Sequence, residues 1–275
     1  MHHDRSAQYF HCYATANDKR LYLKDIQNLI RIRNTPHGVD KVILLIAISK
    51  VKSLTVFDKL FIRTIRKLFD QHPNIELRSI YFKENIGRDF SSYATLHRRV
   101  KSMANNEDYI FFQNRSGIGP YKKSWLASFA HQFNRFDNIA ICGSTINFKD
   151  HHGRSQDNLP HVQTYAFLTK PKFLNMFGDA FPAESESERL KIILNGEIGL
   201  SRFFLEQGLR ITCMEWKDKP VSSHCQPICE DDVKIRVKAD HAFYHRKYFR
   251  RNKKPKVKNP ILHPTSQYLK TMLSN

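Results

Sequence analysis

The chain has 275 residues, with 45 Lys and Arg against 26 Asp and Glu, a formal net charge of +19 at pH 7. That length holds one large or two small domains with a sizeable core, and 41% hydrophobic with 12% aromatic content excludes a disordered polyelectrolyte. The longest strongly apolar run, residues 42–47, is too short to span a bilayer. In chain order, residues 8–15 read as a strand, and 18–33 as a helix with Leu21, Leu23, Ile26, Leu29 and Ile30 on its apolar side. Residues 42–49 are continuously apolar, the signature of a strand covered on both faces. In 55–70, Phe57, Leu60, Phe61, Ile65, Leu68 and Phe69 fall at helical spacing. Lys59, Arg63, Arg66 and Lys67 take the other side, which predicts a surface helix laid on a sheet. Next come a strand at 75–82, a helix at 89–103, a buried strand at 109–114 and a helix at 124–133. Residues 139–148 and 161–169 read as strands, 197–207 as a helix and 210–216 as a last strand. Repeated β-then-α units of this kind imply an α/β fold, a mostly parallel sheet with helices on both faces.

The charge is uneven. Residues 246–258 read RKYFRRNKKPKVK, eight basic residues and no acidic one, with Tyr248 and Phe249 among them. We therefore divide the chain into a domain at 1–230 and a basic C-terminal extension at 231–275. The extension either is simply solvated or contacts an anionic surface through Arg246, Lys247, Arg250, Arg251, Lys253 and Lys254. Met1-His2-His3-Asp4 lacks the basic start and apolar stretch of a secretory leader. Five scattered cysteines, an odd number, suit a reducing compartment, so a cytoplasmic protein is expected.

Sites in such folds gather at the carboxyl ends of the strands. After the strand at 75–82 comes Lys83-Glu84-Asn85-Ile86-Gly87-Arg88-Asp89. Gly87 permits close approach or positive φ, Asp89 could cap the next helix, and Arg88 offers a planar fork for phosphate or carboxylate. A polar loop with a good cap explains the same residues. After the strand at 109–114, Asn114-Arg115-Ser116-Gly117-Ile118-Gly119-Pro120 forms a turn in which Arg115 could hold an anion, though it is not a phosphate loop. Glu197, in Gly196-Glu197-Ile198-Gly199-Leu200-Ser201-Arg202, sits where a helix dipole would stabilise it or where it could serve as a general base. His224, Cys225 and Cys229 lack a second ligand pair, so no metal site is expected there.

Together these segments resemble the bacterial GT-A glycosyltransferases that build capsule, O-antigen or rhamnan-like surface polysaccharides. Glu84-Asn85-Ile86-Gly87-Arg88-Asp89 resembles their E-N-x-G loop, in the N-x-G-R-D form of the rhamnan-synthesis group. Tyr109-Ile110-Phe111-Phe112 resembles the strand leading into DXD, and Pro160-His161-Val162-Gln163-Thr164-Tyr165 a P-H-V-Q-S stretch. Gly196 to Arg202 resembles the acidic loop and helix that hold the catalytic base. The resemblance implies a GT-A-like, Rossmann-like sheet and an enzyme that takes a nucleotide-sugar donor and a glycan acceptor, the acceptor lipid-linked at an anionic membrane surface. It implies Glu197 as base in a single-displacement inversion, with His161 orienting hydroxyls. Asn85, Gly87, Arg88, Asp89, Asn114, Arg115 and Ser116 would bind the donor, and Gln163 and His241 the acceptor. In register with DXD the chain carries Asn114-Arg115-Ser116, without a carboxylate. A manganese or magnesium ion is therefore disfavoured, and Arg88 with Arg115 is expected to neutralise the diphosphate. The competing expectations are a nucleic-acid-binding protein, against which stands the lack of any helix-turn-helix, zinc-finger or RNP-type motif, and an inactive scaffold of the same fold.

Overall fold

In the computed structural model, which describes residues 6–149, 158–225 and 241–249, the apolar runs become the strands the sequence predicts. The first half alternates strictly: β1 (Tyr9–Ala16), α1 (Tyr22–Asn34), β2 (Val42–Lys50), α2 (Val56–Phe69), β3 (Ile75–Glu84), α3 (Arg88–Lys101) and β4 (Tyr109–Asn114). A short β5 (Gly117–Ile118) and α4 (Trp125–Asn134) lead to β6 (Ile139–Gly143), β7 (Ile146–Lys149), β8 (Asn158–Val162) and β9 (Ala166–Thr169). Helices α5 (Pro171–Leu174), α6 (Arg189–Lys191) and α7 (Gly199–Glu206) precede β10 (Arg210–Cys213), β11 (Tyr244–His245) and α8 (Arg246–Phe249).

Seven strands form one sheet in the order β10-β6-β9-β4-β1-β2-β3. β9 pairs antiparallel with both β4 and β6, and the other neighbours pair in parallel. Alternation along β2 explains why it reads as unbroken apolar sequence. Ile43, Leu45 and Ala47 meet α3 and α7 on one face, while Val42, Leu44, Ile46 and Ile48 meet α1, α2 and α4 on the other. The expected fold class, a mostly parallel sheet with helices on both faces, is the one observed.

The second half departs from the expected strands. Residues 139–148 do not form one strand: β6 ends at Gly143, and β7 pairs with β8 in a separate two-stranded sheet. Gly143 fits there because a Cβ would overlap the Val162 side chain. The run at 161–169 likewise divides, with β8 ending at Val162 and β9 joining the main sheet. Residues 241–249, part of the basic extension, return to the body of the fold. Phe243 is fully buried, its ring 5.1 Å from Phe111 and 5.2 Å from Trp125, and β11 pairs antiparallel with β5. Among the described residues no helix is long and apolar enough to cross a membrane.

Candidate active site

The β3–α3 loop is shaped by two consecutive left-handed residues, Gly87 (φ 62) and Arg88 (φ 46). Gly87 is required: its N–H donates to the Glu186 carbonyl (2.9 Å), and a Cβ would overlap the Glu184 carbonyl oxygen. Gly87→Ala should therefore cost about 1–3 kcal/mol or more in urea unfolding, through positive-φ strain and backbone overlap together. Lys83 secures the loop from beneath, its Nζ donating to Ser49 Oγ and to the Ile86 carbonyl, each at 3.1 Å. Desolvation brings the Lys83 ammonium down to about 8, against the opposing pull of Asp89 and Glu84.

This geometry makes Asp89 the second residue of α3, not its cap. Its Oδ2 instead accepts from Asn114 Nδ2 at 2.9 Å, and Asn114 Oδ1 accepts the Ser116 N–H at 2.8 Å. One amide thus closes the turn after β4 and holds a carboxylate on the neighbouring loop. Burial raises the Asp89 carboxyl above its ordinary range, opposed by Arg115, Lys83, Arg88 and the Asn114 bond.

Glu197 approaches from the other side. The sequence places it at a helix start, but it lies inside a π-helical stretch, Ile192–Ile198, that runs from α6 straight into α7. No free helix N-terminus stabilises its charge. Gly196 lets this stretch close on α3, since a Cβ there would come within 2.7 Å of the Phe90 ring. Glu197 Oε1 accepts from Gln163 Nε2 at 2.9 Å. Burial first, and the charge of Asp89 second, push its pKa up to about 7.

Arg88, Asp89, Asn114, Ser116 and Glu197 converge on a cleft of about 240 Å³ at the carboxyl end of β4. Thr164, Tyr165, Arg189 and His245 also line it, and sequence reasoning missed all four. Neither Arg88 nor Arg189 has an ion-pair partner among the described residues. His245 stands four residues from His241, the histidine expected at the acceptor. The His245 ring lies 5.5 Å from Tyr165, and burial takes its pKa down to about 4. Larger hollows of about 540 and 450 Å³ open at the amino ends of β1, β2 and β3, away from these groups.

Other expected site residues fall elsewhere. Arg115 does not face the cleft with an open guanidinium: it forms a bidentate pair with the fully buried Asp25, at 2.6 and 3.1 Å, and also donates to the Ala16 carbonyl. Tyr13 OH donates to the same carboxylate at 3.0 Å. Arg115 thus anchors the β4–β5 turn to α1. His161 is buried in β8 with Nδ1 2.8 Å from the Leu159 carbonyl, outside the cleft lining. His241 is buried against Tyr244, ring to ring at 5.6 Å, and Asn85 is exposed on the loop; neither lines the cleft. The Arg246 N–H donates to the Ser116 carbonyl at 2.6 Å, and Lys247 is exposed. Arg250, Arg251, Lys253, Lys254 and Cys229 lie outside the described residues.

The donor set after β4 does not fit a divalent cation. The Asn114 amide oxygen is occupied by Ser116 N–H, its nitrogen faces Asp89, and Arg115 brings a positive charge close by. Among the described residues, no three His, Cys, Asp or Glu side chains cluster to hold a metal ion.

Neither a protein-family model nor a curated protein matches this sequence. Several solved structures are similar in shape. A mannosyltransferase from Pyrobaculum calidifontis, in complex with GDP-Man and Mn2+, is 12% identical, with 94% of this chain and 68% of that one covered at a TM-score of 0.49. A 4-diphosphocytidyl-2C-methyl-D-erythritol synthase is 11% identical over 80% of this chain and 94% of that one, at 0.43. Mouse xyloside xylosyltransferase 1 is 9% identical over 74% of each chain, at 0.39. At this distance the functional reading rests on the cleft.

Proposed function

We propose that the chain is a glycosyltransferase that moves a sugar from a nucleotide-sugar donor to a growing, lipid-linked surface polysaccharide, with inversion by single displacement. The observation that carries this reading is the Asp89–Asn114 pair facing Glu197 across a cleft edged by two arginines without ion-pair partners among the described residues. Arg88 and Arg189 would meet the donor diphosphate with planar forks, Arg189 taking the part first assigned to Arg115. Glu197, oriented by Gln163, takes the proton from an acceptor hydroxyl as its oxygen attacks the anomeric carbon. The bond from that carbon to the diphosphate breaks, and its electron pair leaves with the diphosphate. The two arginines stabilise the charge that develops there, so transfer proceeds without manganese or magnesium. The acceptor is reached at the cytoplasmic membrane face, and residues 246–258 add to the attraction for its anionic lipid.

A thermal-shift and calorimetric screen of UDP, GDP, dTDP and CMP sugars, with and without manganese, tests this reading. One nucleotide class should bind without the metal and give sugar transfer. Arg88→Ala should weaken that binding about tenfold or more, the worth of a charged hydrogen bond. Pyrophosphate released from a nucleoside triphosphate and a sugar phosphate would make the chain a nucleotidyltransferase. A folded protein that binds no nucleotide sugar would be a scaffold. Either result would overturn the assignment.

A further inference from the structure

A second surface shares the carboxyl end of the sheet. The β2–α2 loop, the first two turns of α2 and the start of α1 leave Leu23, Val51, Leu54, Val56, Phe57 and Leu60 between 39% and 78% exposed. Single exposed apolar side chains are ordinary, but six at one end of a fold are not. On α2, Val56 and Leu60 stand four residues apart on the face opposite Phe61, Ile65 and Leu68, which enter the core.

These side chains are held out by built structure. Asn17 clamps the loop, its Nδ2 donating to the Lys52 carbonyl and its Oδ1 accepting the Val51 N–H, both at 2.7 Å. A Thr55–Asp58 capping box fixes the start of α2, with the Thr55 N–H and hydroxyl donating to Asp58 at 2.6 and 2.7 Å. Tyr22 stacks on Phe61 at 4.0 Å, and Lys19 Nζ lies 5.3 Å from the Phe57 ring centre.

Lys19, Lys52, Lys59 and Arg63 fringe the patch, and none has an ion pair among the described residues. The nearby acids are engaged: Asp18 with Arg20, Glu84 with Lys50, and Asp58 in the cap. A second copy of the chain would therefore set cations against cations. The side chains also protrude, and none of the three hollows described above is lined by the loop or by the first turns of α2.

We propose that this face seats the protein on an anionic phospholipid bilayer, the apolar tips entering the head-group boundary and the four cations meeting lipid phosphate. Helices α2 and α3 both start from the carboxyl ends of their strands, so the bound protein turns its cleft towards the lipid surface. The seat stands whether or not the proposed transfer reaction does.

Flotation with phosphatidylcholine vesicles, with and without phosphatidylglycerol, tests it in the absence of nucleotide. The full chain should bind the phosphatidylglycerol vesicles preferentially. Phe57→Ser/Leu60→Ser should weaken that binding about tenfold or more with Tm unchanged, because neither ring nor isobutyl group enters the core. Lys52→Glu/Lys59→Glu should weaken the preference for phosphatidylglycerol about tenfold or more, leaving the share that residues 246–258 contribute. Three results would overturn the proposal: a full chain that ignores both vesicles, a Phe57→Ser/Leu60→Ser variant that binds like the full chain, or a sedimenting dimer that this variant dissociates in place of any vesicle binding. Nucleotide-sugar affinity, measured on the same samples, reports separately on the transferase reading.

Discussion

Glu197→Gln should lower sugar transfer by about 10²–10⁴-fold, the span that general-base removal produces, while nucleotide-sugar affinity stays within twofold or so. Gln keeps the size and can still bond Gln163, so only the proton acceptor is lost. In the parent protein transfer should rise with pH through about 7, where Glu197 sheds its proton. The same residue sets a stability trend of opposite sense. Its folded pKa lies above the ordinary glutamate value, so the folded state holds more protons than the unfolded one between those two values. Stability therefore falls as pH rises through that window. The Gln variant escapes this loss, and its Tm should exceed the parent's by about 4–8 °C at pH 8 and match it near pH 4. Full activity in the variant would remove Glu197 from the mechanism. A stable variant with poor nucleotide binding would make it a donor-binding group instead.

The largest stability change should come from Asp25→Ala, about 3–5 kcal/mol in urea unfolding, because Arg115 is then left nearly buried without its counter-ion. Arg115→Met should cost less. Arg cannot shed its charge, whereas Asp25 can take up a proton, and burial already raises its pKa despite Arg115. Without Arg115 that pKa climbs further, so the cost of Arg115→Met should be small at pH 5 and grow towards pH 8. Equal, pH-independent losses for the two variants would mean that the pair is looser than its 2.6 Å contact. Because Arg115 anchors the turn that carries Asn114, both variants should also weaken nucleotide-sugar binding.

The strands that flank the cleft were legible because each carries its own period. β2 and β4 are apolar on both faces, and only a strand between two helical layers tolerates that. The loop ending at Asp89 was found by its glycine and by its place after β3. The Asp25–Arg115 pair was not, since ninety positions separate its members and Asp25 sits on a helix read by its leucines and isoleucines. Glu197 shares a cleft with Asp89, and its local setting differs from the helix start read in the sequence. A π-helical stretch has no composition of its own, and Gly196 reveals its purpose only once Phe90 is beside it. Phe57 and Leu60 fell at the spacing of a buried stripe and are exposed instead. Periodicity marks a stripe's existence but not how far around the helix the neighbours reach. Arg189 and His245 carried no local signal, because tertiary contact alone places them at the cleft.

The burial of Phe243 sets synthesis and folding at odds. Every strand of the main sheet has been synthesised once Cys213 is added, yet one half of the core still lacks a ring. Until β11 follows, the nascent chain shows Phe111, Trp125 and Phe129 around an unfilled hole, beside Asn114 and Ser116 on a turn still missing its partner strand. Premature termination within that interval would yield a protein with every strand of the main sheet, an unfinished cleft and a surface that invites chaperones.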